Sequence, residues 1–236
     1  MEQAESDYGS RNRLLYSMER GMTLHLAGEY AKSITFLERA DQEVERLYTR
    51  TIRTETAAFL TNDNVLPYEG DPYEHVMINF IKALDYAVLG QLNESLVEAR
   101  QIDHRLNVLS DRVRDKDAYR EDAFARYLSG GLYEAAGDIN NAFVAYRKAY
   151  DIYEQTHGWA KTPMPPMLKA DLLRTSDALH LTAELDEYRR QFPDVHWISR
   201  QDHPDLAQVV VISYNGRAPH KEDNFLDIPI SLDALQ

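Results

Sequence analysis

The chain has 236 residues, 44% of them hydrophobic, enough to bury a sizeable core in one long domain or in a domain with a small appendage. Lys and Arg total 26 against 39 for Asp and Glu, so a formal net charge of −13 repels phosphate backbones and anionic membrane surfaces and argues against nucleic acid as a partner. Zero cysteines exclude disulfides, thiolate metal sites and a cysteine nucleophile, without choosing between cytoplasm and periplasm.

From the N-terminus, Met1-Glu-Gln-Ala-Glu-Ser6 has neither the basic start nor the apolar run of a signal peptide, and no stretch reaches the roughly 18 apolar residues of a membrane span. Apolar residues then recur at helical spacing and predict helices from about Arg13 to Ala27, Tyr30 to Phe59, Pro72 to Leu89, Leu92 to Arg114, Asp117 to Ala136 and Ile139 to Gln155. The third has a defined start: Asp71 as N-cap, Pro72 at the first helical position and Glu74 placed to reach back. Ahead of it, Asn62-Asp-Asn64, Pro67 and Gly70 mark a loop, in which Tyr68 and Tyr73 are candidates for a rigid aromatic contact surface or for packing back on the helices. After Gln155, His157-Gly-Trp-Ala-Lys-Thr-Pro-Met-Pro-Pro166 breaks the pattern, and two weaker helices follow near Met167 to His180 and Ala183 to Phe192.

Three segments repeat one another: Leu26-Ala-Gly-Glu-Tyr-Ala-Lys-Ser33, Leu89-Gly-Gln-Leu-Asn-Glu-Ser95 and Ala136-Gly-Asp-Ile-Asn-Asn-Ala142. Aligned on Gly28, Gly90 and Gly137, an apolar residue follows at plus two (Tyr30, Leu92, Ile139) and a small one at plus five (Ser33, Ser95, Ala142). Leu37, Ala99 and Tyr146 stand at plus nine, Ala40, Ile102 and Ala149 at plus twelve, and Gly21, Ala83 and Gly130 seven residues upstream. Such spacing fits antiparallel helix pairs joined by a tight turn, the glycine ending the first helix in left-handed geometry and the small residues admitting the second. These segments resemble the tetratricopeptide repeat, whose turn reads Gly-Asp/Glu-Tyr-x-x-Ala. The glycines lie 62 and 47 residues apart rather than the usual period of about 34, so the expected fold is an all-α, irregular TPR-like α-solenoid.

In such a solenoid the first helix of each pair lines the inner face that grips a partner. The glycine alignment carries those positions to Leu15, Met18, Met22, His25 and Leu26; to Met77, Phe80, Leu84, Ala87 and Val88; and to Phe124, Tyr127, Gly131, Glu134 and Ala135. Of these, Met18, Met22, His25, Met77, Phe80, Leu84, Phe124, Tyr127 and Glu134 form the candidate protein-binding groove, apolar and nearly empty of the Lys, Arg and Asn that hold a peptide carboxylate. The expected occupant is an amphipathic helix or apolar peptide from a partner, or the chain's own C-terminal helices. Asn79, between apolar neighbours, is expected to hydrogen-bond to the preceding loop.

The tail changes character. Ala207-Gln-Val-Val-Val-Ile-Ser-Tyr214 reads as a strand, Asn215-Gly216 as a turn and Phe225-Leu-Asp-Ile-Pro-Ile230 as an edge strand, which divides the chain into a helical domain, 1–192, and a linker with a β-rich tail, 193–236. Two strands need further structure to pack on. The segments Tyr73 to Arg100 and Val209 to Lys221 are similar to a poorly characterised family of bacterial tetratricopeptide-like lipoproteins. That resemblance implies a lipoprotein signal and anchoring cysteine upstream, further β structure downstream, and a periplasm-facing place in the bacterial envelope; a cytoplasmic adaptor is the alternative.

An enzyme has little to rest on. Gly-x-Ser-x-Gly, phosphate-cradling Gly-rich and His-Glu-x-x-His motifs are missing. His196, Asp202 and His203, with Asp194 and Asp205, fall on a linker interrupted by Pro193 and Pro204 and read as a solvated loop. Neither a catalytic residue nor a metal site nor a cofactor is expected, and the expected partner is a protein.

Overall fold

The computed structural model describes residues 8–54, 67–112, 122–155, 163–199 and 209–213. Among the described residues eight helices run in chain order: α1 (Arg13–Leu26), α2 (Tyr30–Thr54), α3 (Pro72–Val88), α4 (Leu92–Arg112), α5 (Ala123–Ala135), α6 (Ile139–Gln155), α7 (Leu168–Ala178) and α8 (Thr182–Gln191). The chain divides into two compact units, Met1–Pro204 and Asp205–Gln236. All eight helices belong to the first.

Each odd helix packs against the even helix that follows it, and each even helix against the next odd one. The odd helices α1, α3 and α5 also touch in succession, so the first helices of neighbouring pairs stand side by side as the repeat alignment requires. The unit is therefore an all-α stack of antiparallel helix pairs.

The turns explain why the pairs form. At Gly28, Gly90 and Gly137 φ is +77°, +74° and +82°, the left-handed geometry that glycine adopts without penalty. Each glycine N–H donates to the carbonyl three residues back (His25, Ala87, Glu134) and the next N–H to the carbonyl five back (Leu24, Tyr86, Tyr133), which satisfies the open end of the first helix. The turn after α7 is the same: His180, at φ +57°, donates to Asp177, and Leu181 donates to Ser176. Residues 168–191 are therefore a fourth helix pair with the same turn, one the glycine pattern does not reveal.

Packing within a pair follows a trade of volume. A Cβ on Gly21 would lie 2.6 Å from Leu37, and one on Gly130 would overlap the ring of Tyr146. In the second pair both positions are alanine, Ala83 and Ala99, each wholly buried. Where the first helix is bare, the second supplies bulk. Ser95 adds a polar tie, its hydroxyl donating to the Ala83 carbonyl at 2.8 Å.

Two sequence expectations change. Helix α5 begins at Ala123 with Asp122 as N-cap, its Oδ1 accepting from the N–H groups of Phe124 and Ala125 at 3.0 Å, rather than at Asp117, which lies outside the described residues. Of the expected first tail strand, Ala207 to Tyr214, the described residues 209–213 carry no strand, and Val209, Val210 and Val211 are exposed. β-Branched composition supplies a preference, but a strand exists only with a ladder partner. The second expected strand, Phe225 to Ile230, lies outside the described residues.

Candidate protein-binding face

The side chains expected to line the inner face divide into two sets. Met18, Met22, Met77, Leu84 and Tyr127 are half-buried, and Phe124 is 39% exposed, its ring 5.7 Å from that of Phe80. Leu26 and Val88, two residues before their turn glycines, are open to solvent at 63% and 61%. These side chains come from α1, α3 and α5, and in the fourth pair the same alignment, with His180 in place of the glycine, adds Met167, also exposed.

Phe80 and Glu134 belong to the interior. Phe80 is 2% exposed and forms core. Glu134 is buried and accepts from the Tyr146 hydroxyl at 2.9 Å while pairing with Arg174, so its carboxylate is spent inside the fold. His25 is similarly engaged: its Nδ1 lies 2.6 Å from Oδ1 of the buried Asp85, joining α1 to α3, and the second Asp85 oxygen has no hydrogen-bond partner among the described residues.

Three cations on the first helices, Lys82, Arg126 and Arg174, are also committed. Lys82, 2% exposed, places its ammonium 2.7 Å from Glu38, 2.9 Å from Glu98 and 3.3 Å from Asp41, tying α3 to both α2 and α4. Burial opposes its charge, but Glu38, Glu98 and Asp41 outweigh that and hold its pKa above the ordinary lysine value. Arg126, fully buried, pairs with Asp103 and donates to Asn107 at 2.8 Å, and Arg174 pairs with Glu134 and Asp171. Tyr127 donates to Asp171 at 2.8 Å, and burial, then Asp171, pushes its pKa up. Paired in this way, Lys82, Arg126 and Arg174 brace the fold, while Leu26, Val88, Phe124 and Met167 are left at the surface.

Asn79 departs from expectation. Instead of holding the loop before α3, its Nδ2 donates to Glu98 at 2.7 Å and reaches Asp41 at 3.5 Å, bridging α4 and α2. That loop is secured otherwise: the Tyr68 hydroxyl donates to Glu74 at 2.6 Å, its N–H donates to the Arg11 carbonyl at 3.0 Å, and the Asp71 N–H donates to Glu74 at 2.6 Å. Tyr68 and Tyr73 are both half-buried. Among the described residues no three His, Asp or Glu side chains are grouped to hold a metal, and no helix is long and apolar enough to cross a membrane. His196 is exposed; Asp202, His203 and Asp205 lie outside the described residues.

No family model matches the sequence, and no curated protein does. Among solved structures, the chain is similar to a kinesin light chain of nearly identical TPR-like repeats from Podosopora anserina, at 16% identity and a TM-score of 0.47, covering 78% of this chain and 74% of that one. A singly substituted form of that same protein gives 16% identity and a TM-score of 0.46, over 77% and 73%.

Proposed function

We propose that this chain is a non-enzymatic scaffold that binds a protein partner through the first helices of its repeats. The observation that carries the reading is the contrast on those helices: Met18, Met22, Met77, Leu84 and Phe124 remain at least partly open, while Lys82, Arg126, Glu134 and Arg174 are engaged inside the fold. Methionine and aromatic side chains adapt to an apolar helix or peptide without demanding a fixed geometry. A groove whose cations are paired off has little with which to hold a peptide carboxylate.

The finer reading is the periplasm-facing part of a bacterial envelope lipoprotein. It is supported by the likeness of residues 73–100 and 209–221 to that family and leaves residues 193–236 as a linker and tail beyond the binding domain.

Affinity capture from membranes of the native host tests both readings. A Met22→Glu, Phe124→Glu chain, both sites being outside the buried core, is expected to keep its circular dichroism spectrum and lose a specific envelope protein that the parent chain retains. Equal capture by both chains removes the inner face as the binding surface, and capture of nothing by the parent chain removes the scaffold. Recovery of the native protein in the soluble fraction of the host, rather than in membranes, removes the lipoprotein assignment.

A further inference from the structure

Beyond α8 the chain turns back. Val195 N–H donates to the Phe192 carbonyl at 3.2 Å, the indole of Trp197 lies beneath the Arg189 guanidinium with 5.6 Å from CZ to the ring, and the Ser199 hydroxyl donates to Asp177 Oδ2 at 2.6 Å. Phe192 ends α8, whereas Asp177 lies at the far end of α7, beside the start of α8. Seven residues therefore traverse roughly the length of α8, about 15 Å, which seven residues of helix, about 10 Å, would not cover. Burial alternates along this strap: Val195, Trp197 and Ser199 are half-buried, His196 and Ile198 exposed. A period of two is the signature of an elongated segment lying on a surface by one face.

We infer that the α7–α8 hairpin carries a docking site for an elongated peptide, occupied in this chain by its own Val195–Ser199. The ligand it fits has an aromatic residue followed two positions later by a hydroxyl side chain. Arg189 receives the aromatic ring by cation–π attraction and the Asp177 carboxylate accepts the hydroxyl proton. Asp177 stands three residues before His180, the position that His25, Ala87 and Glu134 hold before their glycines. The strap thus ends at the inner-face register of the fourth pair and acts there as an intramolecular stand-in for a partner segment. This site is distinct from the Met-rich face proposed above and does not rest on it.

A partner segment must compete with a ligand tethered at an effective concentration in the mM range. The test uses the full chain, a Trp197→Ala, Ser199→Asp form that releases the strap, and a fluorescein-labelled synthetic peptide spanning residues 193–200. The peptide is expected to bind the released chain at least about tenfold more tightly than the parent chain, because the parent's own strap holds the site. Adding Asp177→Ala to the released chain should abolish binding, whereas Met22→Glu, Phe124→Glu should leave it unchanged. Equal binding to parent and released chains, no binding to either, or binding that survives Asp177→Ala overturns the inference. A second reading avoids the peptide: in a Trp159→Phe background, Asp177→Ala should shift Trp197 emission to the red, and unchanged emission also overturns it.

Discussion

Gly130 and Gly131 are adjacent in α5 and meet different surroundings. A Cβ on Gly130 would overlap the Tyr146 ring, whereas one on Gly131 would meet only the Tyr146 hydroxyl, at 3.9 Å. Gly131→Ala should therefore gain up to about 1 kcal/mol from helix propensity. Gly130→Ala should instead lose about 1–3 kcal/mol through overpacking, and thermal melts of the two variants should move in opposite directions. His75 gives a pH dependence. Burial lowers its pKa, while its Nε2 lies 2.8 Å from the Glu69 carbonyl. A histidine held below its ordinary value of about 6.5 binds fewer protons folded than unfolded, so its contribution is complete above that pH and is lost as pH falls through the folded pKa. Between pH 7 and pH 5 the wild-type melting temperature should fall further than that of His75→Gln. At this scale the sequence is an uneven guide. Helical spacing put Phe80 on the right helix, but the same alignment could not tell a core ring from a groove ring. Nothing in the sequence marks Lys82 and Arg126 as buried, because their partners, Glu38, Asp41, Glu98 and Asp103, lie 16 to 44 residues away. One signal was available: Asp41 and Asp103 both stand thirteen residues after a turn glycine, and Asn79 and Arg126, which they meet, both stand eleven before the next.

Helix by helix, the reading from sequence was close, because each turn glycine fixes where one helix stops and the next starts. It failed where that marker was missing. His180 holds the left-handed position of the fourth turn as a residue with a side chain, at a conformational cost of about 1 kcal/mol, and a search keyed to glycine sees only two weak helices there. His180→Gly should recover about that amount, read as a raised melting temperature. Gly137→Ala should lose a similar amount, and because open space surrounds that position the loss reports backbone geometry alone. The first tail strand, as far as residues 209–213 describe it, failed for the opposite reason. Local preference was strong over residues 207–214, but strands are made by partners rather than by composition.

In the helical unit as a whole, each helix packs chiefly on its immediate neighbours in the chain, so stability is a sum of pairs and of the junctions between them. Among the described residues, the junction of the first two pairs is the most charged. Lys82 faces three carboxylates there, while Arg105 pairs with Asp41 and donates to the His75 carbonyl at 3.2 Å. Lys82→Met leaves those carboxylates without their shared cation and should cost about 3–5 kcal/mol. Hydrogen exchange should then quicken in α2, α3 and α4 before it quickens in α7 and α8.

The uneven burial of the four pairs also bears on how the unit would yield to tension. Helix α8 buries only Leu185 and Tyr188, against six residues in α6. A load pulling the C-terminal end away from the stack would meet its weakest resistance at that last hairpin, and the unit would lengthen in steps, one hairpin at a time, rather than rupture at once. Between two anchoring points such a stack is a graded spring.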